Sequence, residues 1–136
     1  MKKVVNNKKT GKKALVVDDD TAVCNMLKKF LTIKGYKVSA VFNGEEAMKI
    51  MKKEKPHFVL LDIRMPGMDG IEVLRRIKEI NKNIPIVVMI AAVIDDEVGR
   101  KCIEMGAADY ITKPLGLEYL ENVLMVKLLD LEQKNK

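Results

Sequence analysis

Stretches that are apolar at every position alternate along this chain with stretches that are apolar on one helical face. The runs Ala14-Leu15-Val16-Val17, Phe58-Val59-Leu60-Leu61 and Ile86-Val87-Val88-Met89-Ile90 have no polar interruption. That pattern suits strands covered on both faces, as in a parallel sheet. Lys37-Val38-Ser39-Ala40-Val41 alternates instead, as an edge strand does, and Ala108-Asp109-Tyr110-Ile111-Thr112 reads as a fifth strand. Between the strands the apolar residues recur at helical spacing. The first helix carries Val23, Met26, Leu27, Phe30 and Leu31, and the second Ala47, Ile50 and Met51. The third carries Ile71, Leu74, Ile77 and Ile80, and the fourth Val98, Cys102 and Met105. A last helix is expected from near Leu115 to about Leu131.

The punctuation agrees with this division. Asp20 or Thr21 can cap the first helix, Asn43-Gly44-Glu45-Glu46 resembles a capping box, and Asp95 can cap the fourth helix. Gly35 and Gly106 supply left-handed stops, and Pro56 ends the second helix. Five strand–helix units with short, right-handed connections predict an α/β fold, a doubly wound parallel sheet with five helices.

Composition adds bounds rather than detail. With 136 residues, 48% of them hydrophobic, the chain is most simply one domain with a substantial core. Its apolar runs are too short to cross a bilayer, and its N-terminus lacks the apolar stretch of a signal peptide, so the expectation is a cytoplasmic protein with no membrane contact. Cys24 and Cys102 fall inside expected helices without a motif between them and read as buried free thiols. The first 13 residues hold six lysines and no acid, which accounts for the whole net charge of +6. Residues 1–11 therefore read as a basic, flexible leader, and the rest of the chain as close to neutral. Aromatic residues are scarce, so no base-stacking platform is visible and nucleic acid is not an expected partner.

Chemistry gathers at the strand ends. One strand runs into Asp62 and then Met65-Pro66-Gly67, which stops it and turns the chain; another runs into Asp18-Asp19-Asp20; the fifth delivers Lys113-Pro114. Open α/β sheets place ligands at the carboxyl ends of their strands, where the strand order switches. In the order 2-1-3-4-5 the first and third strands are neighbours, so their carboxylates share one crevice. Like charges so close need a cation or a proton between them. A divalent metal such as Mg²⁺ prefers oxygen ligands and keeps several waters. A carboxylate beside it can attack phosphorus to form an aspartyl phosphate, with an ammonium such as that of Lys113 neutralising a phosphoryl oxygen.

Val17-Asp18-Asp19-Asp20, Leu61-Asp62-Ile63-Arg64-Met65-Pro66-Gly67-Met68-Asp69-Gly70 and Gly106-Ala107-Ala108-Asp109-Tyr110-Ile111-Thr112-Lys113-Pro114 together resemble the receiver domain of two-component response regulators, the chemotaxis-regulator-like, flavodoxin-like fold. The resemblance covers about residues 12–132, leaving 133–136 as a tail. It implies that Asp62 is the phosphoacceptor, supplied by a sensor histidine kinase or a phosphotransfer protein. It implies direct Mg²⁺ ligation by Asp19 and Asp62 with the backbone carbonyl of Arg64, and a water-mediated or orienting role for Asp18. Lys113 would pair with the phosphoryl group, and the Lys113–Pro114 peptide would be cis, as an X–Pro bond allows. The implied function is a phosphorylation-dependent signalling switch that alters its partner-binding face and acts on an effector in trans, or an excised receiver. It is not an enzyme beyond its own transfer and hydrolysis.

One position departs from the family pattern. Counting back from Gly106 and Lys113, the family's Ser or Thr at the end of the fourth strand falls on Ala91; counting forward from Pro85 it falls on Ile90. Neither carries a hydroxyl. A hydrogen bond to a charged group contributes roughly 1.5–3 kcal/mol, so its loss would move a two-state equilibrium by about tenfold or more. The departure bears on how far phosphorylation moves Tyr110, the implied switch partner of residue 91. A degenerate receiver that binds partners without phosphate is the alternative. A phosphatase of the haloacid-dehalogenase type would want a second Asp where Arg64 stands, and a flavin carrier would not place three aspartates at its phosphate loop. His57 lies at the opposite end of its strand and reads as a surface or satisfied histidine, and Asp69 as loop structure. The last helix has more apolar residues than one buried stripe needs, which leaves deep burial or a partner surface, including a homodimer, as its two explanations.

Overall fold

The computed structural model describes residues 10–83, 85–93 and 95–134. Ten elements follow one another: β1 (Lys13–Val17), α1 (Thr21–Ile33), β2 (Lys37–Val41), α2 (Gly44–Glu54), β3 (Phe58–Asp62), α3 (Gly70–Ile80), β4 (Ile86–Ala91), α4 (Asp96–Glu104), β5 (Asp109–Thr112) and α5 (Leu117–Lys134). All strand pairs are parallel, in the order β2-β1-β3-β4-β5. The sheet is parallel and five-stranded as the hydrophobic pattern predicts, with alternating β2 at one edge, and its order is the one expected of the doubly wound, flavodoxin-like fold.

The uninterrupted runs are buried on both sides because successive residues face different helix layers. Leu15, Val17, Val59, Leu61, Val87 and Met89 pack with Ala47, Val73, Leu74, Ile77 and Cys102 of α2, α3 and α4. Ala14, Val16, Phe58, Leu60, Val88 and Ile90 pack with Cys24, Leu27, Leu31, Leu120, Leu124 and Leu128 of α1 and α5. The edge-on ring pair Tyr36–Phe58, with centroids 5.1 Å apart, closes the second layer at its lower end. Both cysteines are buried and free, as read from the sequence.

Helix starts follow local chemistry. The Asp20 carboxylate accepts from the Ala22 and Val23 N–H groups, the Asp95 carboxylate from those of Glu97 and Val98, and the Asn43 side chain from that of Glu46. The Glu46 carboxylate reaches back to the Phe42 N–H, one residue before the cap. Asp69, read as loop structure, is the cap of α3 and accepts from the Glu72 N–H. Gly35 and Gly106 take positive φ behind α1 and α4.

Element ends and faces differ in places. Helix α5 starts at Leu117, where the Gly116 carbonyl accepts the first helical bond, and continues to Lys134 rather than stopping near Leu131. Glu132, Gln133 and Lys134 are good helix formers with no Gly or Pro to stop them, so the helix takes in the start of the stretch read as a tail. Met26 is exposed, because Cys24, Leu27 and Leu31 form the inward face of α1, and Ile80 is exposed in the last turn of α3. Of the basic leader, residues 1–9 lie outside the described residues; Thr10 bonds through its N–H to the Gly35 carbonyl. Among the described residues no helix is long and apolar enough to cross a membrane.

Candidate functional site at the carboxyl ends of the strands

Register alone assembles the site. Val17 pairs with Leu61, so Asp18 and Asp62 are the next positions on neighbouring strands. Ala91 pairs with Thr112 at the far side, so Lys113 is the first residue beyond that pair, and its N–H donates to the Ala91 carbonyl. The three motifs, distant in sequence, therefore meet at one rim.

Asp18 and Asp62 are the buried charged residues of the described chain, 1% and 4% exposed, whereas Asp19 stands open to solvent. Carboxylate oxygens of Asp18, Asp19 and Asp62 all lie within 4.8 Å of one another. One Asp18 oxygen accepts from the Asp20 N–H; its other oxygen is buried with no hydrogen bond. The Lys113 ammonium stands 3.3 Å from that second oxygen and 3.7 Å from Asp62 Oδ1, an ion pair with each carboxylate. Burial pushes the Asp62 carboxyl up to about 6, with the Asp18 and Asp19 charges adding to the rise and Lys113 opposing it. Partial burial works against the Lys113 ammonium, but the carboxylates of Asp18 and Asp62 outweigh it and raise its pKa.

A buried carboxylate oxygen without a hydrogen bond, beside two further carboxylates, is a donor set for a hard divalent cation. Asp18, Asp19 and Asp62 fit Mg²⁺. Arg64 lies two residues past Asp62 at the start of the β3–α3 loop, its side chain exposed. Asp20 is spent on capping α1, as weighed from the sequence. His57 is at the other end of the sheet, its Nδ1 accepting from the Lys13 N–H.

Ala91, rather than Ile90, closes β4, and its methyl is nearly buried. Tyr110 is half-buried, and its hydroxyl donates to the Val93 carbonyl. The Lys113–Pro114 peptide is cis. Two supports escaped the sequence reading. The Cys24 thiol donates to the Asp18 carbonyl at 3.1 Å, and burial, with Asp18 next, raises that thiol to about 11. Gly70 lies so close under β3 that a Cβ there would stand 2.1 Å from the Asp62 carbonyl oxygen. A glycine after Asp69 was visible in the sequence, but its closeness to Asp62 is a property of the folded loop.

A parallel five-stranded sheet with a buried aspartate and an acidic cluster at its β1–β3 switch point, and a lysine reaching in from the end of β5, defines a doubly wound α/β module with its site at the carboxyl ends of the strands. The family model for the response regulator receiver domain matches residues 14–125, and the chain belongs to that family, a signalling module of two-component systems. It is 35% identical over 114 residues to sporulation initiation phosphotransferase F of Bacillus subtilis (strain 168), covering 84% of this chain and 91% of that protein. It is 39% identical over 108 residues to response regulator MprA of Mycolicibacterium vanbaalenii, covering 78% of this chain and 46% of the relative, so the chain spans about half the length of the MprA proteins it matches. Among solved structures, a CheY-like receiver domain protein from Methanospirillum hungatei JF-1 superposes with a TM-score of 0.86 at 28% identity, covering 90% of this chain and 98% of that one.

Proposed function

We propose that this receiver accepts a phosphoryl group on Asp62, with Mg²⁺ held by Asp19 and Asp62, the Arg64 carbonyl as a third protein ligand and Asp18 acting through water. The observation that carries this reading is the trio of carboxylates within 4.8 Å of one another with Lys113 leaning on two of them. Such a rim disfavours further negative charge unless a cation is present, so phosphoryl transfer is tied to metal binding.

The Asp62 carboxylate supplies the attacking oxygen. As its O–P bond forms, the P–N bond of a phosphohistidine on a sensor kinase or phosphotransfer protein breaks, and the imidazole leaves with the electron pair. Lys113 moves from the carboxylates to a phosphoryl oxygen, an exchange its 3.7 Å distance from Asp62 permits. When bound, Mg²⁺ supplies charge neutralisation and orientation of the phosphoryl oxygens. Asp18 and the Cys24 thiol below it hold the β1 rim in place. Hydrolysis of the adduct returns the carboxylate; beyond this self-directed chemistry the protein is a signalling module rather than an enzyme.

The protein then works in the cytoplasm on an effector in trans. The name of the phosphotransferase F relative supports the phosphoryl-transfer part of this reading. Helix α5 offers a surface for such a partner or for a second copy of this chain: Leu120, Leu124 and Leu128 are buried, while Tyr119, Met125, Val126 and Leu129 on its other side are at least half exposed. Sedimentation with and without phosphodonor separates these two uses. A degenerate receiver that never takes phosphate is the second reading, favoured by the alkyl end of β4 at Ala91.

One assay decides between them. Incubation with Mg²⁺ and acetyl phosphate is expected to give an acid-stable, base-labile adduct that is absent in Asp62→Asn. No adduct in the wild type would overturn phosphorylation and leave the interaction module.

A further inference from the structure

The β4–α4 connection has no side chain with which to grip a phosphoryl group. From Met89 through Ile90, Ala91, Ala92, Val93 and Ile94 every side chain is alkyl or thioether. The first polar one, Asp95, is an anion, and its carboxylate is engaged by the Glu97 and Val98 N–H groups at the start of α4. The strand neighbour of Asp62 on this side is Ile90. A phosphoryl group on Asp62 therefore finds a side-chain partner in Lys113 but no side-chain donor on the segment leading to α4.

Tyr110, meanwhile, is held from two sides. Its hydroxyl donates to the Val93 carbonyl at 3.2 Å. Its ring lies against buried Gly99 in the middle of α4, where a Cβ would meet ring carbons at 3.1 and 3.3 Å. Gly99 weakens a helix interior relative to Ala, and the seat it makes for the ring accounts for its presence there. A third tie, from the Lys113 N–H to the Ala91 carbonyl at 2.8 Å, closes the β4 and β5 ends on each other.

We propose that the α4–β5 side of this protein keeps one arrangement whether or not Asp62 carries a phosphoryl group, because Tyr110 stays seated on Gly99 and Val93 and the β4 end offers no side-chain donor to draw the loop inward. The inference rests on Asp62 as phosphoacceptor and concerns how that event is read. A ligand shifts an equilibrium only through contacts that differ between the two states, and no side chain between Met89 and Asp95 carries a donor that could make such a contact. A partner that tells the two forms apart must then touch the rim formed by residues 18–20, 62–66 and 113.

The test uses beryllofluoride with Mg²⁺ as a stable phosphoryl mimic, read by amide hydrogen exchange and ¹H–¹⁵N spectra of the whole chain. In the wild type, exchange around residues 62–66 is expected to slow by about tenfold or more, while amides of α4 and Tyr110 stay within about twofold. In Ala91→Thr, which restores a donor at the strand end, α4 amides are expected to respond by about tenfold. A tenfold response of wild-type α4, with the rim saturated, would overturn the inference while leaving the phosphoacceptor assignment standing. An Ala91→Thr protein whose rim responds and whose α4 does not would remove Ala91 from the explanation. No response at the rim would sink the assignment of Asp62, and the inference with it.

Discussion

Asp62 is a carboxylate shielded from water and set beside two others, and its proton affinity records that. Its folded pKa of about 6 lies above the ordinary value of 3.8. In the metal-free protein the folded state binds the proton more tightly than the unfolded chain does, so the stability from this group is full below the ordinary value and is lost as pH rises through about 6. Metal-free Asp62→Asn is therefore expected to be more stable than the wild type at about pH 7, with the difference in denaturant midpoint shrinking toward about pH 5. Adduct formation is expected to fall on acidification below about 6 in low Mg²⁺, because the protonated carboxyl is a poor nucleophile. At this scale the sequence was informative about identity and poor about environment. Asp18, Asp19 and Asp62 were legible because carboxylates ending an apolar run are conspicuous, and Lys113 because it stands before a proline at the end of the fifth strand. The Cys24 thiol under Asp18 was not, because nothing in a helical cysteine announces which carbonyl lies one turn away.

Helix α3 begins directly beneath the strand that carries Asp62, and only hydrogen at position 70 leaves room there. A methyl group 2.1 Å from the Asp62 carbonyl oxygen has no flexible neighbour to displace, since the contact is backbone. Gly70→Ala is expected to cost about 3 kcal/mol by urea unfolding, and to depress adduct formation because Asp62 shifts with its main chain. The cap of α1 is a gentler case: Asp20→Ala forfeits two N–H contacts and is expected to cost about 1 kcal/mol by the same measurement. Caps were readable because they act within three residues of themselves. Helix α5 starts two residues and ends three residues later than its apolar pattern suggests, because helix ends without a strong stop depend on what the last turns pack against.

At the scale of the whole molecule, ligand binding and folding are one equilibrium. Asp18, Asp19 and Asp62 come together only in the folded sheet, so Mg²⁺ at a hundredfold its Kd is expected to raise unfolding free energy by about 2.7 kcal/mol. Chelation should reverse the gain, and Asp19→Asn should reduce it; an unchanged melting curve on adding Mg²⁺ would contradict the carboxylate site. The linear pattern of this chain by itself determined the number and kind of elements, the two-sided burial of the central strands and the residue types at the strand ends, because periodicity and capping are properties of neighbours along the backbone. Tertiary structure alone decided the distances between the strand-end side chains, how deeply Asp62 is buried, where Tyr110 is held and which side of α5 stays bare. Those are distances between residues far apart in the chain, and parallel register and layer packing set them.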